Sequence, residues 1–544
     1  MTIKQLCCLF VPVIATICWN SNLSFAKDLS DEVTRVAAEI DQLIDSEWKA
    51  NSVTPAPQSD DAEFIRRAYL DICGRIPPAS AVRDFLADES PDKRRQLVDR
   101  LLGTATYIVH YTNLWRAAMI PEADADQQIR QFLPGFEAWL RSRIAENRNY
   151  AEIVEEVLTL PYEAADMQQF QQPDTPTPSA FYRAKEAKPE NLASATARIF
   201  LGIRLECAQC HDHFFDKWKR DEFWSYAAFF AALQPDQMMQ APQEKSATTE
   251  EVDTETSLVS TLAPVVMIPG TEQTATARFL DGSDPQWTSD SDSRQVLANW
   301  VTSPENHYFA RAAVNRIWSN HFGVGLVDPV DDISDNNPPS HPEVLDLLAK
   351  EFAAHDFDVK FIIRVITATR AYGLTSEQTD DSQQTPGMFA RMAVKGLTPE
   401  QIFDSIAQAT GYQQPFNPEQ PLNFNNDQRR QEFIETFANS SESPTERQST
   451  ILQALSLMNG EFVADATELS ESRTLAAIAE APFLDSSQKV EALFLATLNR
   501  PPTENEAATF VEYVSKSDSP AKRNSALGDV FWALLNSSEF LMNH

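Results

Sequence analysis

The sequence is short of glycine, cysteine, histidine and basic residues, and beyond its first stretch it has no long apolar run. Glycine numbers 14 against 33 prolines in 544 residues. That balance disfavours a large sheet with many glycine turns and favours helices separated by proline-punctuated loops. Beyond residue 26 only Cys73, Cys207 and Cys210 are cysteines, too few and of the wrong parity for a disulfide-stapled scaffold. Lys and Arg total 45 against 79 Asp and Glu, a formal net charge of −34. No basic stripe offsets this, which argues against a nucleic-acid partner and against binding to anionic membrane surfaces. No later segment reaches the roughly 18 apolar residues of a membrane helix.

The first 26 residues have the pattern of an export signal. MTIKQ supplies one lysine, LCCLFVPVIATICW is an uncharged apolar run, and SNLSFA ends in small residues at Ser24 and Ala26. Ala15-Thr16-Ile17-Cys18 lacks the small residue expected before a lipid-anchor cysteine. The expectation is cleavage before Lys27 and a soluble mature protein, periplasmic or secreted, with no membrane span.

The rest of the chain is too long for one core. Amphipathic spacing predicts a mainly α, multi-helical protein. Two helical domains, residues 27–235 and 291–544, flank an acidic linker and small β hairpin at 236–290. DDAEFIRRAYLDICG (60–74) places Phe64, Ala68, Tyr69 and Ile72 on one face, with Cys73 on the apolar side as a small hydrophobe. In ESPDKRRQLVDRLLG, Ser90 and Pro91 predict a helix start and Gly103 its end. NLASATARIFLGIRLE predicts one helix, with Leu192, Ala195, Ile199 and Ile203 in register. Ser340-His-Pro-Glu343, Thr398-Pro-Glu-Gln401 and Thr503-x-x-Glu506 have the form of capping boxes. APVVMIP and TATARFL flank a PGTEQ turn signal, the predicted hairpin, and residues 413–430 form a second, amide-rich linker.

The stretch CAQCHDH, residues 207–213, concentrates chemistry in a chain otherwise poor in Cys and His. Two thiols three residues apart can reach the two vinyl groups of haem, and the following His211 then falls beneath the iron. The helix before the motif and the aromatic-rich DEFWSYAAFFAAL after it could wall a flat apolar cofactor. A bare zinc or iron ion on Cys207, Cys210 and His213, completed by Asp216 or a distant residue, is the alternative. His211, adjacent to Cys210, points awkwardly for that same ion. A dithiol redox pair and plain packing are the remaining readings. Sixth-ligand candidates for a haem are Met238, Met239, His110, His307 and His321; an open position is equally compatible.

A second candidate is the loop GVGLVDPVDDISDNNPPSHPE (323–343), dense in Asp328, Asp331, Asp332, Asp335, Asn336 and Asn337. Oxygen ligands at alternating spacing would suit a hard cation, and a carboxylate pair with His341 would suit acid–base work. The loop lacks the D-x-D-x-D-G run and terminal Glu of a calcium loop. Asp and Asn equally serve turns by accepting from backbone N–H groups. Nothing resembles a nucleophile elbow, a phosphate-binding glycine loop or a zinc-protease helix, so no named hydrolytic or transfer reaction follows.

FIRRAYLDICGRIPPASAVRDFL, PDKRRQLVDRLLG and ATARIFLGIRLECAQCHDHFFDKWKRDEFWSYAAFF resemble, in order, the planctomycete-specific cytochrome-like domain. NHYFARAAVNRIWSNHFGVGLVDPVDDISDNNPPSHPEVLDLLAKEF, ILQALSLMNG, ATLNRPPTENE and VFWALLNSSEFLMNH resemble the planctomycete-specific domain of unknown function that usually accompanies it. The resemblance implies an exported bacterial protein, and the cytochrome label carries over to Cys207, Cys210 and His211. His213 also fits the family's pattern, whereas Phe214 stands where the family usually shows proline.

The expectation is therefore an exported cytochrome-like protein carrying one covalent haem c for electron transfer or redox support of a protein partner. The alternative is a non-haem secreted binding or assembly protein with a structural metal in the Cys/His cluster. A metal-dependent enzyme acting on an extracellular polymer is a weaker third.

Overall fold

A computed structural model describes the backbone of residues 11–124, 126–161, 175–214, 216–233, 263–415, 427–437, 457–458, 460–516 and 519–544, and side chains from Leu29 onward. Met238, Met239, most of the acidic linker and the middle of the amide-rich linker lie outside the described residues. The fold is mainly α, with two small antiparallel ladders. Among the described residues, no helix is long and apolar enough to cross a membrane.

Local signals account for many helix boundaries. Asp60 accepts from Glu63 N at 2.8 Å to open the Asp61–Cys73 helix, and Gly74 closes it in the left-handed region (φ 67°). Such a cap stabilises by about 1 kcal/mol. Gly74 is also a place of close approach, because a Cβ there would lie 2.4 Å from His110 Nδ1. The boxes at Thr398/Gln401 and Thr503/Glu506 form as expected. The hairpin forms too, pairing Val265–Met267 with Thr274–Thr276.

Other starts differ from expectation. The helix after Pro91 begins at Lys93 with Asp92 as cap residue, two positions late, and Lys93 N donates to Ser90 O instead. The helix Pro342–Ala354 has His341 at its cap and no side-chain cap bond. Ser340 is drawn away, its N–H and hydroxyl both donating to Leu326 O. The single helix expected before CAQCHDH is also interrupted. Pro189–Thr196 continues as a π-helical turn, Ala197–Leu201, and stops at Gly202 (φ 68°). The Ile333 and Ala312 side chains crowd the place where a Cβ of residue 202 would go, the nearer at 2.7 Å.

Two buried cores result. The larger gathers residues from Val33 to Met392; the smaller gathers Leu397 to Phe540 together with Leu70 and Ile76. The hairpin and the helices Ser293–Val301, His307–Phe322 and Pro342–Ala354 thus belong to the same core as the amino-terminal helices. The cores part at residues 393–396, well after the 236–290 stretch.

A buried polar node ties them together. Arg66 and Arg67, adjacent on the Asp61–Cys73 helix, are almost fully buried. Arg66 donates to Thr497 O and Asn499 Oδ1 through Nη1, and to the carbonyls of Glu539, Phe540 and Met542 through Nη2. Asp71 accepts from Lys395 Nζ (2.6 Å), Asn543 Nδ2 (2.6 Å) and Tyr372 OH (2.9 Å). Beside it, Lys395–Gly396 pairs with Met542–Asn543 as a two-residue ladder. Buried charges persist only where partners satisfy them, and here each has several.

Candidate functional site

After Gly202 the chain passes through Ile203–Leu205 without regular structure, then makes a single 3₁₀ turn, Glu206–Gln209. The motif therefore sits on a surface turn and not at the carboxyl end of a helix. Ala208 is buried and anchors the turn, leaving Cys207, Cys210, His211 and Asp212 exposed; both thiols are unpaired. The turn is held from below, where Trp224 Nε1 donates to Gln209 O at 3.0 Å. His213 N donates to Trp218 O (2.8 Å), and Arg220 N to Asp212 Oδ1 (3.1 Å). Asp216 Oδ1 accepts from Lys217 N, and Lys217 Nζ donates to Tyr308 OH.

His211 Nδ1 lies 2.9 Å from the carbonyl of Asp212. That contact puts the ring proton on Nδ1 and leaves Nε2 as the electron-pair donor, the arrangement that metal-ligating histidines adopt. The ring also meets Phe214 at 4.3 Å between centroids, and Phe214 is 76% exposed. The donor set of a covalent haem, two accessible thiols and an imidazole Nε2, is thus present and accessible. The aromatic wall is not. Phe223, Trp224, Tyr226, Phe229 and Phe230 are buried in the larger core, where Phe223 meets Trp224 edge-on, Tyr226 meets Phe229 and Trp300 edge-on, and Phe229 packs on Phe279 and Trp287. A porphyrin attached here would lie on the surface.

Of the proposed sixth ligands, His110 and His321 are buried, and each packs edge-on to a tyrosine. Burial pushes His110 down to about 4 and lowers His321 as well. His307 is exposed and stacks on Tyr308, the tyrosine that meets Lys217. It is the described histidine whose surroundings reach the loop. For a bare ion, the ligand atoms of Cys207, Cys210, His213 and Asp216 do not converge. Among the described residues, only Glu32, Glu351 and His355 bring three such atoms within 4.8 Å of one another. Its members are already engaged, because Arg35 Nη2 donates to Glu351 Oε1 and His355 Nε2 lies 3.0 Å from Glu32.

The acidic loop does not gather Asp328, Asp331, Asp332 and His341 at one point either. Asp331 is buried and accepts from Arg204 Nε at 3.0 Å and Nη2 at 2.5 Å, with Arg198 Nε 3.7 Å away. Asn337 Nδ2 donates to the carbonyls of Asp328 and Asp332, which closes the turn. His341 is buried against Phe389, its Nδ1 3.2 Å from Ser340 Oγ, and burial lowers its pKa. What the loop does is brace the first motif. Ile333 N donates to Gly202 O at 2.7 Å, and Asp331 holds the arginines on either side of that glycine. Arg198 also lies 4.0 Å from Glu206, the residue before Cys207. The two stretches singled out in the sequence are neighbours, one supporting the other.

Sequence reasoning missed a cleft of about 1570 Å³ at the seam of the two cores, lined in part by Arg75, Arg116, Arg141, Glu400, Asp404 and Arg430. These residues are scattered over the whole chain and carry no local signature.

No curated protein and no solved structure matches the chain significantly. Residues 39–235 match the family model described as PSCyt2, protein of unknown function (DUF1549), and residues 293–514 match that described as PSD1, protein of unknown function (DUF1553). Two domains of unknown function are thus found in the chain in tandem, the PSCyt2 match followed by the PSD1 match.

Proposed function

We propose that the C-x-x-C-H turn attaches one c-type haem through Cys207 and Cys210, with His211 as axial ligand, and that the exported protein exchanges electrons with a protein partner. The observation that carries this reading is the His211 Nδ1 contact to Asp212 O, which leaves Nε2 as the electron-pair donor in the same turn as two exposed thiols. The haem would supply one-electron chemistry. The chain's part is to fix the turn through Ala208 and Trp224, and to orient His211. An attachment site open to solvent also suits modification after export and transfer over a short distance to a docked partner. The test is the pyridine haemochrome spectrum of protein secreted from a host with haem-c maturation machinery. A c-type band that Cys210→Ser reduces to non-covalent levels is expected. A colourless, correctly processed protein sinks the proposal.

A structural zinc or iron ion on Cys207, Cys210, His213 and Asp216 is the second reading; because these ligand atoms do not converge here, the ion would have to draw the turn together. The buried packing of the aromatic side chains favours it, because it leaves no slot for a porphyrin. Stoichiometric metal in the colourless protein, by elemental analysis, would support it.

A further inference from the structure

The cleft at the core seam has a composition unlike that of the chain around it. Its lining holds seven arginines, no lysine, six carboxylates and eight Asn or Gln side chains, in a chain where anions outnumber cations 79 to 45. Amides and guanidiniums, with few aromatics, make a wall suited to a polar ligand. The volume of about 1570 Å³ exceeds the roughly 300–1,000 Å³ of ordinary small-molecule pockets, so an extended molecule fits.

The inner wall has an ordered charge pattern. Arg116 donates to Asp124 Oδ1 (2.7 Å) and to Glu400 Oε1 (3.2 Å), and Arg141 lies 3.5 Å from Glu137. Burial pushes the Glu400 carboxyl up, but Arg116 and Arg430 more than offset it, so Glu400 stays ionised. Asp404 Oδ2 is shared, 3.5 Å from Arg75 Nη2 and 3.6 Å from Arg430 Nη2. Those separations are too long for strong hydrogen bonds. Two guanidiniums thus converge on one carboxylate without either engaging it closely. Four arginines face four carboxylates on this wall, and over the whole lining seven arginines face six carboxylates. A guanidinium carries five donors in a planar fork matched to oxyanions, and this pair still has donors to give.

We propose that this cleft binds a polar ligand bearing a carboxylate, sulfate or phosphate group, seated between Arg75 and Arg430 in competition with Asp404. Asp404 serves as a stand-in anion that screens the two arginines from each other until such a ligand binds. The site is independent of the haem reading, since it uses none of Cys207, Cys210 or His211.

Calorimetric titration of the full mature chain with citrate, sodium sulfate and inorganic phosphate tests this, with sodium chloride at matched ionic strength as control. At least one of the three should give saturable one-to-one binding, and their ranking identifies the head group. Asp404→Asn removes the competing charge and should tighten that binding by about tenfold, given charges a few ångströms apart in a partly buried site. Arg430→Gln should weaken it at least as much. Should Arg430→Gln fail to fold by circular dichroism, Arg75→Gln takes its place. No saturable heat above chloride with any of the three overturns the proposal. So does an Asp404→Asn variant that binds no tighter.

Discussion

The Cys207–His213 turn and the Asp71 node are opposites. In the turn, reactive groups are exposed, and backbone atoms make most of the contacts. In the node, charged groups are almost fully buried, and every one of them is held by side chains and carbonyls from distant parts of the chain. A surface turn can hold reactive groups at little cost to folding, whereas a buried node commits much of the fold's stability to a few atoms. The difference predicts that chemistry and stability are separable in this protein, and four measurements test that.

The largest effect should come from Lys395→Met. It leaves Asp71 buried with its charge uncompensated and removes the donors to Asn320 O and His321 O. A loss of about 3–5 kcal/mol in denaturant unfolding is expected; less than 1 kcal/mol would mean that the node is not a stabilising centre.

Next comes acid sensitivity. Burial lowers His110 to about 4, with Asp71 pulling up and His321 pushing down. The folded state holds this ring neutral while the unfolded chain protonates it near pH 6.5. Stability from this group is therefore complete above about pH 6.5 and is lost as the pH falls from there to about 4. The loss amounts to about 3 kcal/mol. Carboxylates contribute in the same direction, so the difference between the native protein and His110→Gln isolates the histidine. Parallel stability–pH curves would refute the assignment.

Gly202→Ala is expected to cost about 1–2 kcal/mol, from the left-handed backbone and the approach of Ile333. It should also loosen the turn that follows, visible as faster alkylation of the Cys207 and Cys210 thiols. An unchanged unfolding midpoint and alkylation rate would remove the loop's bracing role.

The smallest effect belongs to the motif itself. In cofactor-free protein, Cys207→Ser with Cys210→Ser should change stability by less than about 0.5 kcal/mol, because both side chains are exposed. A larger loss would break the comparison and favour a metal clip.

The parts of this structure that were legible in the sequence are those set by near neighbours. The Asp61–Cys73 helix, its closing glycine, two capping boxes and the hairpin each depend on residues within a few positions. Ser340 shows where that fails, because its hydroxyl finds Leu326 O, fourteen residues upstream, before it can cap the next helix. Arg66 and Arg67 carry no mark of burial in the sequence. Their partners stand more than 300 residues away for all but Glu63, and no helical periodicity reports such contacts. The motif's residues were evident, but their surroundings were not. An aromatic stripe reads the same whether it faces a cofactor or, as here, other aromatic rings.

The Met542–Asn543 strand has a consequence for biogenesis. A chain delivered amino end first exposes Arg66, Arg67 and Asp71 early, yet their acceptors and donors at 539–543 emerge hundreds of residues later. Until that segment arrives, the three ions stay hydrated and the seam between the cores stays open. The amino-terminal half therefore waits, incompletely closed, for a tail that finishes it.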